Sequence, residues 1–143
     1  MEEITLKNYE IKKLNVYDAT YEGERDLISI NKNHKGSLIR LSVDQNVNLI
    51  GIVDFKVGNP VRGNHYHLTK DEYFYLLEGK VNGYFKEKGS EIVEHHVIES
   101  GTLIHIKPGC THAFSAIENG YAIEYCSNMS EELNGDSILE EIV

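Results

Sequence analysis

Apolar positions along this chain come in short runs of strand length, cut by glycines and by clusters of Asn, Asp and Lys. Leu49 to Val57 follows the polar Asn48, is rich in branched apolar side chains and closes at the turn signal Gly58-Asn59-Pro60, so it predicts a strand. Glu72 to Glu78 reads EYFYLLE. Strand alternation sets Glu72, Phe74 and Leu76 on one face and Tyr73, Tyr75 and Leu77 on the other, and both faces are largely apolar, so burial on both sides is expected. Glu78-Gly79-Lys80 reads as a turn, and Val81 to Lys86 completes a predicted hairpin. Further strands are expected at Leu38 to Val43, Ile92 to Ile98, Leu103 to Ile106, His112 to Ala116 and Tyr121 to Cys126. Ile4 to Tyr21 reads as extra strands with no partner set by the sequence. Helical character is confined to Ser130 to Leu133, where Ser followed by Glu-Glu would start one short turn. The punctuation predicts an all-β fold.

Composition narrows the class. A chain of 143 residues is the size of one ordinary domain. With 41% hydrophobic and 26% charged residues it is too apolar for disorder and too evenly polar for a membrane protein. Its net charge of −9 repels phosphate backbones and anionic lipid, which argues against nucleic acid and membrane partners. No apolar run approaches the roughly 18 residues of a membrane span, and Met1-Glu2-Glu3 carries acid where a secretory signal carries base, so a cytoplasmic protein is expected. Cys110 and Cys126 read as buried thiols without a redox role.

The chemistry concentrates in four residues. His65 and His67 are one residue apart, so on an extended backbone both imidazoles project from one face while Tyr66 points away. Glu72 lies across a short Leu-Thr-Lys-Asp loop at the start of the next strand, and His112 arrives from a distant strand after Lys107-Pro108-Gly109. A lone histidine pair is most often a surface or core feature, but the combined spacing favours a site. Three imidazoles and a carboxylate suit one divalent transition metal, Zn, Fe, Ni, Mn or Co, with room left for water or substrate.

These residues resemble the two motifs of the cupin superfamily. The first appears as Gly58, His65-Tyr66-His67, Glu72 and Gly79, and the second as Gly101, Pro108-Gly109 and His112, with Lys107 and Ala116 standing where the pattern has Pro and Asn. The resemblance implies a small antiparallel β-barrel of the jelly-roll type, often dimeric, with the metal inside its mouth. On this reading residues 1–143 form a single cupin domain, with extra strands over about 1–36, a core barrel over about 37–128 and a C-terminal edge segment at 129–143. A narrower stretch, Pro60 to Lys70, is similar to the C-terminal cupin domain of capsular-polysaccharide enzymes that reduce and epimerise UDP-linked keto sugars. More distantly, its Arg-Gly-Asn-His is similar to the dTDP-sugar 3,5-epimerases.

That resemblance implies a sugar-nucleotide epimerase or isomerase of surface-polysaccharide biosynthesis, with a small-molecule nucleotide sugar as substrate. Arg62 is the candidate to hold a diphosphate, Lys70 and Arg40 being weaker ones of the same kind, and Tyr84 and Tyr75 are the candidates to move a proton, although strand aromatics more often serve packing. His95 and His96 should face opposite ways, His34 should be solvated, and His105 reads as a satisfied core or interface histidine. The competing functions are a metal-dependent oxygenase or other small-molecule isomerase, and a non-catalytic metal- or sugar-binding module. A homodimer is also expected, because Tyr73, Tyr75 and Leu77 leave a second apolar face in need of cover.

Overall fold

The computed structural model describes residues 7–126 and 137–143, and the helical turn expected at Ser130 to Leu133 lies outside them. The strands run β1 (Tyr9–Lys13), β2 (Val16–Asp18), β3 (Ser29–Asn33), β4 (Gly36–Arg40), β5 (Leu49–Phe55), β6 (Arg62–His67), β7 (Glu72–Lys86), β8 (Val93–Glu99), β9 (Thr102–Ile106), β10 (Thr111–Cys126) and β11 (Ser137–Leu139). Among the described residues no helix is long and apolar enough to cross a membrane.

Two long strands, β7 and β10, pair antiparallel along most of their length and serve both layers of the barrel. Their first shared segment, Glu72 to Leu76 against Ala122 to Cys126, carries β9 and then β1 on one side and β5 on the other. Their second, Lys80 to Lys86 against Thr111 to Glu118, carries β8 on one side and β6 with β11 on the other. The layers meet where Glu78-Gly79 faces Asn119-Gly120 and the register shifts. Gly79 sits at φ 96°, in the region glycine favours. A Cβ on Gly79 would lie 2.7 Å from the Asn119 carbonyl oxygen, and one on Gly120 would lie 1.8 Å from that of Glu78. Two backbones therefore touch at this corner and fold the sheet over. The turn expected at Glu78 to Lys80 is thus a corner inside one continuous strand, and His112 to Ala116 and Tyr121 to Cys126 are likewise one strand. Glycine serves a hairpin and a corner equally well, which is why local sequence does not separate them.

The barrel interior is aliphatic and aromatic. Phe74 and Phe114 stack at 4.5 Å with planes 2° apart, and Phe55 meets both edge-on. Leu76, Val81, Phe85 and Ile104 are fully buried around them. Cys110 and Cys126 are free, buried thiols, and burial, followed by the charges of Glu87 and Glu94, pushes Cys110 up to about 12.

A second, 3-stranded sheet of β2, β3 and β4 lies on the outer face of the first layer, where Leu14 and Ile30 pack on Tyr75 with Ile39 and Leu103. The chain thus divides differently from the expected boundary near residue 37: β1 belongs to the barrel, whereas β4, expected in it, belongs to the cover. This cover also removes the motive for a dimer. Tyr75 is 1% exposed beneath the chain's own N-terminal strands, Tyr73 is stacked between His105 and Tyr125, and of the three residues only Leu77 stays open at 46%.

Candidate active site in the barrel mouth

The site begins with an irregularity in β6. His65 faces His112 and Gly63 faces Ala113, so Asn64 is an extra residue without a partner on β10. Such a bulge re-aims the side chains beside it. Gly63 has φ 100° and Asn64 φ 56°, and a Cβ on Gly63 would sit 2.5 Å from the His112 carbonyl oxygen. Glycine is required for that approach, and it lets the His65 and His112 rings come within 4.8 Å of each other. His67 follows on the same face, with its ring 5.0 Å from His65 and 5.5 Å from His112.

The candidate ligand nitrogens of His65, His67 and His112 lie within 4.8 Å of one another, and these three residues could hold a metal ion. Glu72, at the start of β7, sets Oε2 3.0 Å from His67 Nε2 and 3.4 Å from His112 Nε2. His112 Nδ1 lies 3.0 Å from the Cys110 carbonyl, which only accepts, so Nδ1 carries a proton and Nε2 is the nitrogen turned toward Glu72. Three imidazoles converging beside a carboxylate are a donor set that fits a divalent transition metal. Burial would raise the Glu72 carboxyl, but its bonds with His112 and His67 outweigh that and hold it well below the usual carboxylate range. Burial, with the neighbouring His112 and His67, pushes His65 down to about 4.

Sequence reasoning missed Glu124. It stands on β10 opposite Phe74, with Gly51 of β5 on its other side, where a Cβ would lie 3.4 Å from the Glu124 Cγ and Oε1. Burial, then the charge of Glu72 and a bond with it, raises Glu124 to about 7, so the two carboxyls share one charge. The available signal was parity: Glu124 is an acid between Ala122 and Cys126, both inward and buried.

A cavity of about 470 Å³ opens above this floor. His65, His112, Glu72 and Glu124 form the base, Phe55, Phe74 and Phe114 the wall, and the exposed Lys56 and Arg62 belong to the rim. Lys70 is buried instead of standing on the rim, and its charge acts on Glu72, Glu124 and His65 from within. Tyr75 and Tyr84 are not in the site. Tyr75 lies under the N-terminal sheet, and Tyr84 stacks on the exposed His95 at 4.8 Å, outside the barrel. Arg40 ends β4 in the covering sheet. His105 bonds Asp71 at 2.8 Å, His96 meets the Tyr9 hydroxyl at 3.1 Å on the face opposite His95, and His34 is exposed.

No family model matches the sequence, and no curated protein matches it. Solved structures do. The sugar 3,4-ketoisomerase QdtA from Thermoanaerobacterium thermosaccharolyticum, in complex with TDP, superposes with a TM-score of 0.70 at 14% identity, over 94% of this chain and 89% of that one. ChmJ, a 3'-monoepimerase from Streptomyces bikiniensis in complex with dTDP-quinovose, gives 0.66 at 14%, over 89% and 67%. The capsular polysaccharide assembling protein CapF from Staphylococcus aureus gives 0.60 at 21%, over 79% of this chain and 34% of that one. Likeness at these identities carries the architecture: the chain is an all-β jelly roll of the cupin type, as its motif spacing implies.

Proposed function

We propose that this protein is a sugar-nucleotide isomerase or epimerase that moves a proton next to the ketone of a UDP- or dTDP-linked keto sugar. The observation that carries the reading is the make-up of the cavity: a cation-ready floor of His65, His112, Glu72 and Glu124, an aromatic wall, and Arg62 with Lys56 at the rim. Its volume of about 470 Å³ lies in the range of small-molecule sites. The solved neighbours that hold TDP or a dTDP-sugar support this substrate class.

His65, His67, Glu72 and His112 would hold one divalent transition metal, and when bound such an ion polarises a ketone oxygen and makes the adjacent C–H more acidic. Arg62 pairs with the diphosphate, the role its guanidinium fork suits, and so offsets the repulsion of a chain of charge −9. Glu124 takes the proton from the carbon next to the ketone. A proton delivered from solvent to the opposite face of that carbon inverts the centre, while the one on Glu124 exchanges with water. Delivery of the Glu124 proton to the former carbonyl carbon, with loss of the neighbouring hydroxyl proton, moves the ketone along the ring. Phe55, Phe74 and Phe114 exclude water from one side of the sugar.

The test is solvent deuterium incorporation at the carbon next to the ketone, followed by NMR, with protein loaded in turn with Zn, Fe, Ni, Mn and Co. Incorporation above the uncatalysed background is expected for at least one UDP- or dTDP-linked keto sugar. Its absence from fully loaded protein overturns the enzyme reading. Tight sugar binding without exchange would then indicate a binding module, and oxygen consumption an oxygenase.

A further inference from the structure

We infer that the C-terminal strand β11, through Ser137 and the bulge residue Asn64, is a strap that holds and aims the His67 ring, with Ser137 and Asn64 as positioning residues. The inference rests on the metal site proposed above and adds the part of the chain that sets its affinity. Within β6, pairing with β10 ends at His65, and the side of His65, Tyr66 and His67 away from β10 pairs with Leu139, Ile138 and Ser137 of β11.

Asn64 ties the strap down. Its carbonyl accepts the Glu140 N–H at 2.8 Å, its Oδ1 accepts the N–H groups of Ile142 at 2.9 Å and Val143 at 3.3 Å, and its Nδ2 donates to the Val143 carbonyl at 3.1 Å. Asparagine is among the few residues that tolerate the left-handed backbone seen here, so one residue makes the bulge and clamps the strap. Glu140 adds a second anchor by bonding Lys86 at 3.0 Å and the Thr111 hydroxyl.

The consequence falls on His67. Ser137 Oγ lies 3.2 Å from His67 Nδ1, while His67 Nε2 lies 3.0 Å from Glu72 Oε2. Without a cation the Glu72 carboxylate, which only accepts, takes the Nε2–H of His67 and the Ser137 hydroxyl donates to Nδ1; with a cation on Nε2 the proton would sit on Nδ1 and Ser137 Oγ would accept it, so one hydroxyl holds the ring in both states. His112 has a backbone carbonyl on its Nδ1, which no substitution removes. The strap supplies for His67 what the main chain supplies for His112.

Two measurements on the full chain test this. The first is ring-nitrogen NMR of the metal-free protein at a pH where His67 is neutral. Wild type should show a His67 Nδ1 that accepts a hydrogen bond, Ser137→Ala should lose that bond, and Ser137→Thr should keep it. The second is competition for Co(II) against a chromophoric chelator. Ser137→Ala should bind about 10- to 100-fold more weakly, Asn64→Gly, which keeps the backbone freedom, should weaken binding too, and Ser137→Thr should restore it. If Ser137→Ala keeps both the wild-type Nδ1 signal and the wild-type Co(II) affinity, the strap inference is overturned. If wild type holds no metal at all, the metal reading falls by itself, and the Nδ1 measurement still decides the strap.

Discussion

Replacing the buried Gly120 by Ala should unfold this protein earlier than Ala at any other described glycine, because that methyl meets only backbone at the shortest distance. A Cβ at Gly120 lies 1.8 Å from the Glu78 oxygen, 2.4 Å from the Glu78 carbonyl carbon and 2.8 Å from the Gly79 Cα. None of these atoms can swing aside as a side chain would. To reach ordinary contact the two strands must part by about 1.6 Å, the gap between 1.8 and 3.4 Å. Overpacking of this kind costs about 1–3 kcal/mol, and each strand hydrogen bond lost beside the corner adds about 1 kcal/mol. A loss of about 3–5 kcal/mol follows, a large part of the roughly 5–15 kcal/mol that holds a domain folded. At about 2–4 °C per kcal/mol for a chain of this size, the melting temperature should fall by about 6–20 °C. Circular dichroism on heating and in urea measures it. Gly58→Ala is the control: Gly58 also has positive φ, 91°, but nothing lies within 4 Å of its Cβ, so it should lose only about 1–2 kcal/mol of backbone strain. A Gly120→Ala protein melting within about 2 °C of the parent would refute the corner contact.

Other expectations follow from the site and the core. Arg62→Ala should weaken nucleotide-sugar binding about tenfold or more, the worth of a charge-assisted bond, with metal content by elemental analysis unchanged, whereas His112→Ala should lose the metal. Glu124→Gln should slow deuterium exchange by about 10²-fold or more, while Tyr75→Phe and Tyr84→Phe leave it near the parent rate. Cys110 titrates near 12 in the fold against 9.0 unfolded, so the unfolded thiol loses its proton first. That contribution to stability is complete below pH 9 and is lost as pH rises from 9 toward 12, which urea titrations across that range should show as a falling midpoint.

The metal-ligand candidates were legible because their geometry is nearly local. Two histidines one residue apart share a face on any extended backbone, and Glu72 follows across a short loop. His112 could be added only through the motif, since nothing local says which distant strand closes on β6. Tyr75 shows a signal that was present and overridden. It stands at an odd offset, three positions on from Glu72, so alternation alone puts it on the opposite face. Tyr84 is different. Twelve residues from Glu72, it has inward parity, but the corner at Gly79 resets the alternation, so Val81 and Phe85 point inward and Tyr84 outward. Glu124 needed the same long-range information, because its alternation is clear while the barrel end its face opens onto depends on pairing with β5 and β7. The N-terminal cover was hidden for a like reason, as β2 and β3 pair in parallel, a contact no hairpin signal announces.

Because β7 and β10 run through both layers, no line across the barrel separates it into halves that could open one at a time. Peeling either layer tears the same two strands that hold the other, so the layers should melt as one cooperative unit. Amide hydrogens in Phe74 to Leu76 and in Val81 to Phe85 should then exchange with solvent at one common free energy, that of global unfolding, instead of as two separate units. A metal held on the floor would have two routes out, the open mouth or complete unfolding, and its residence time would be set by the mouth.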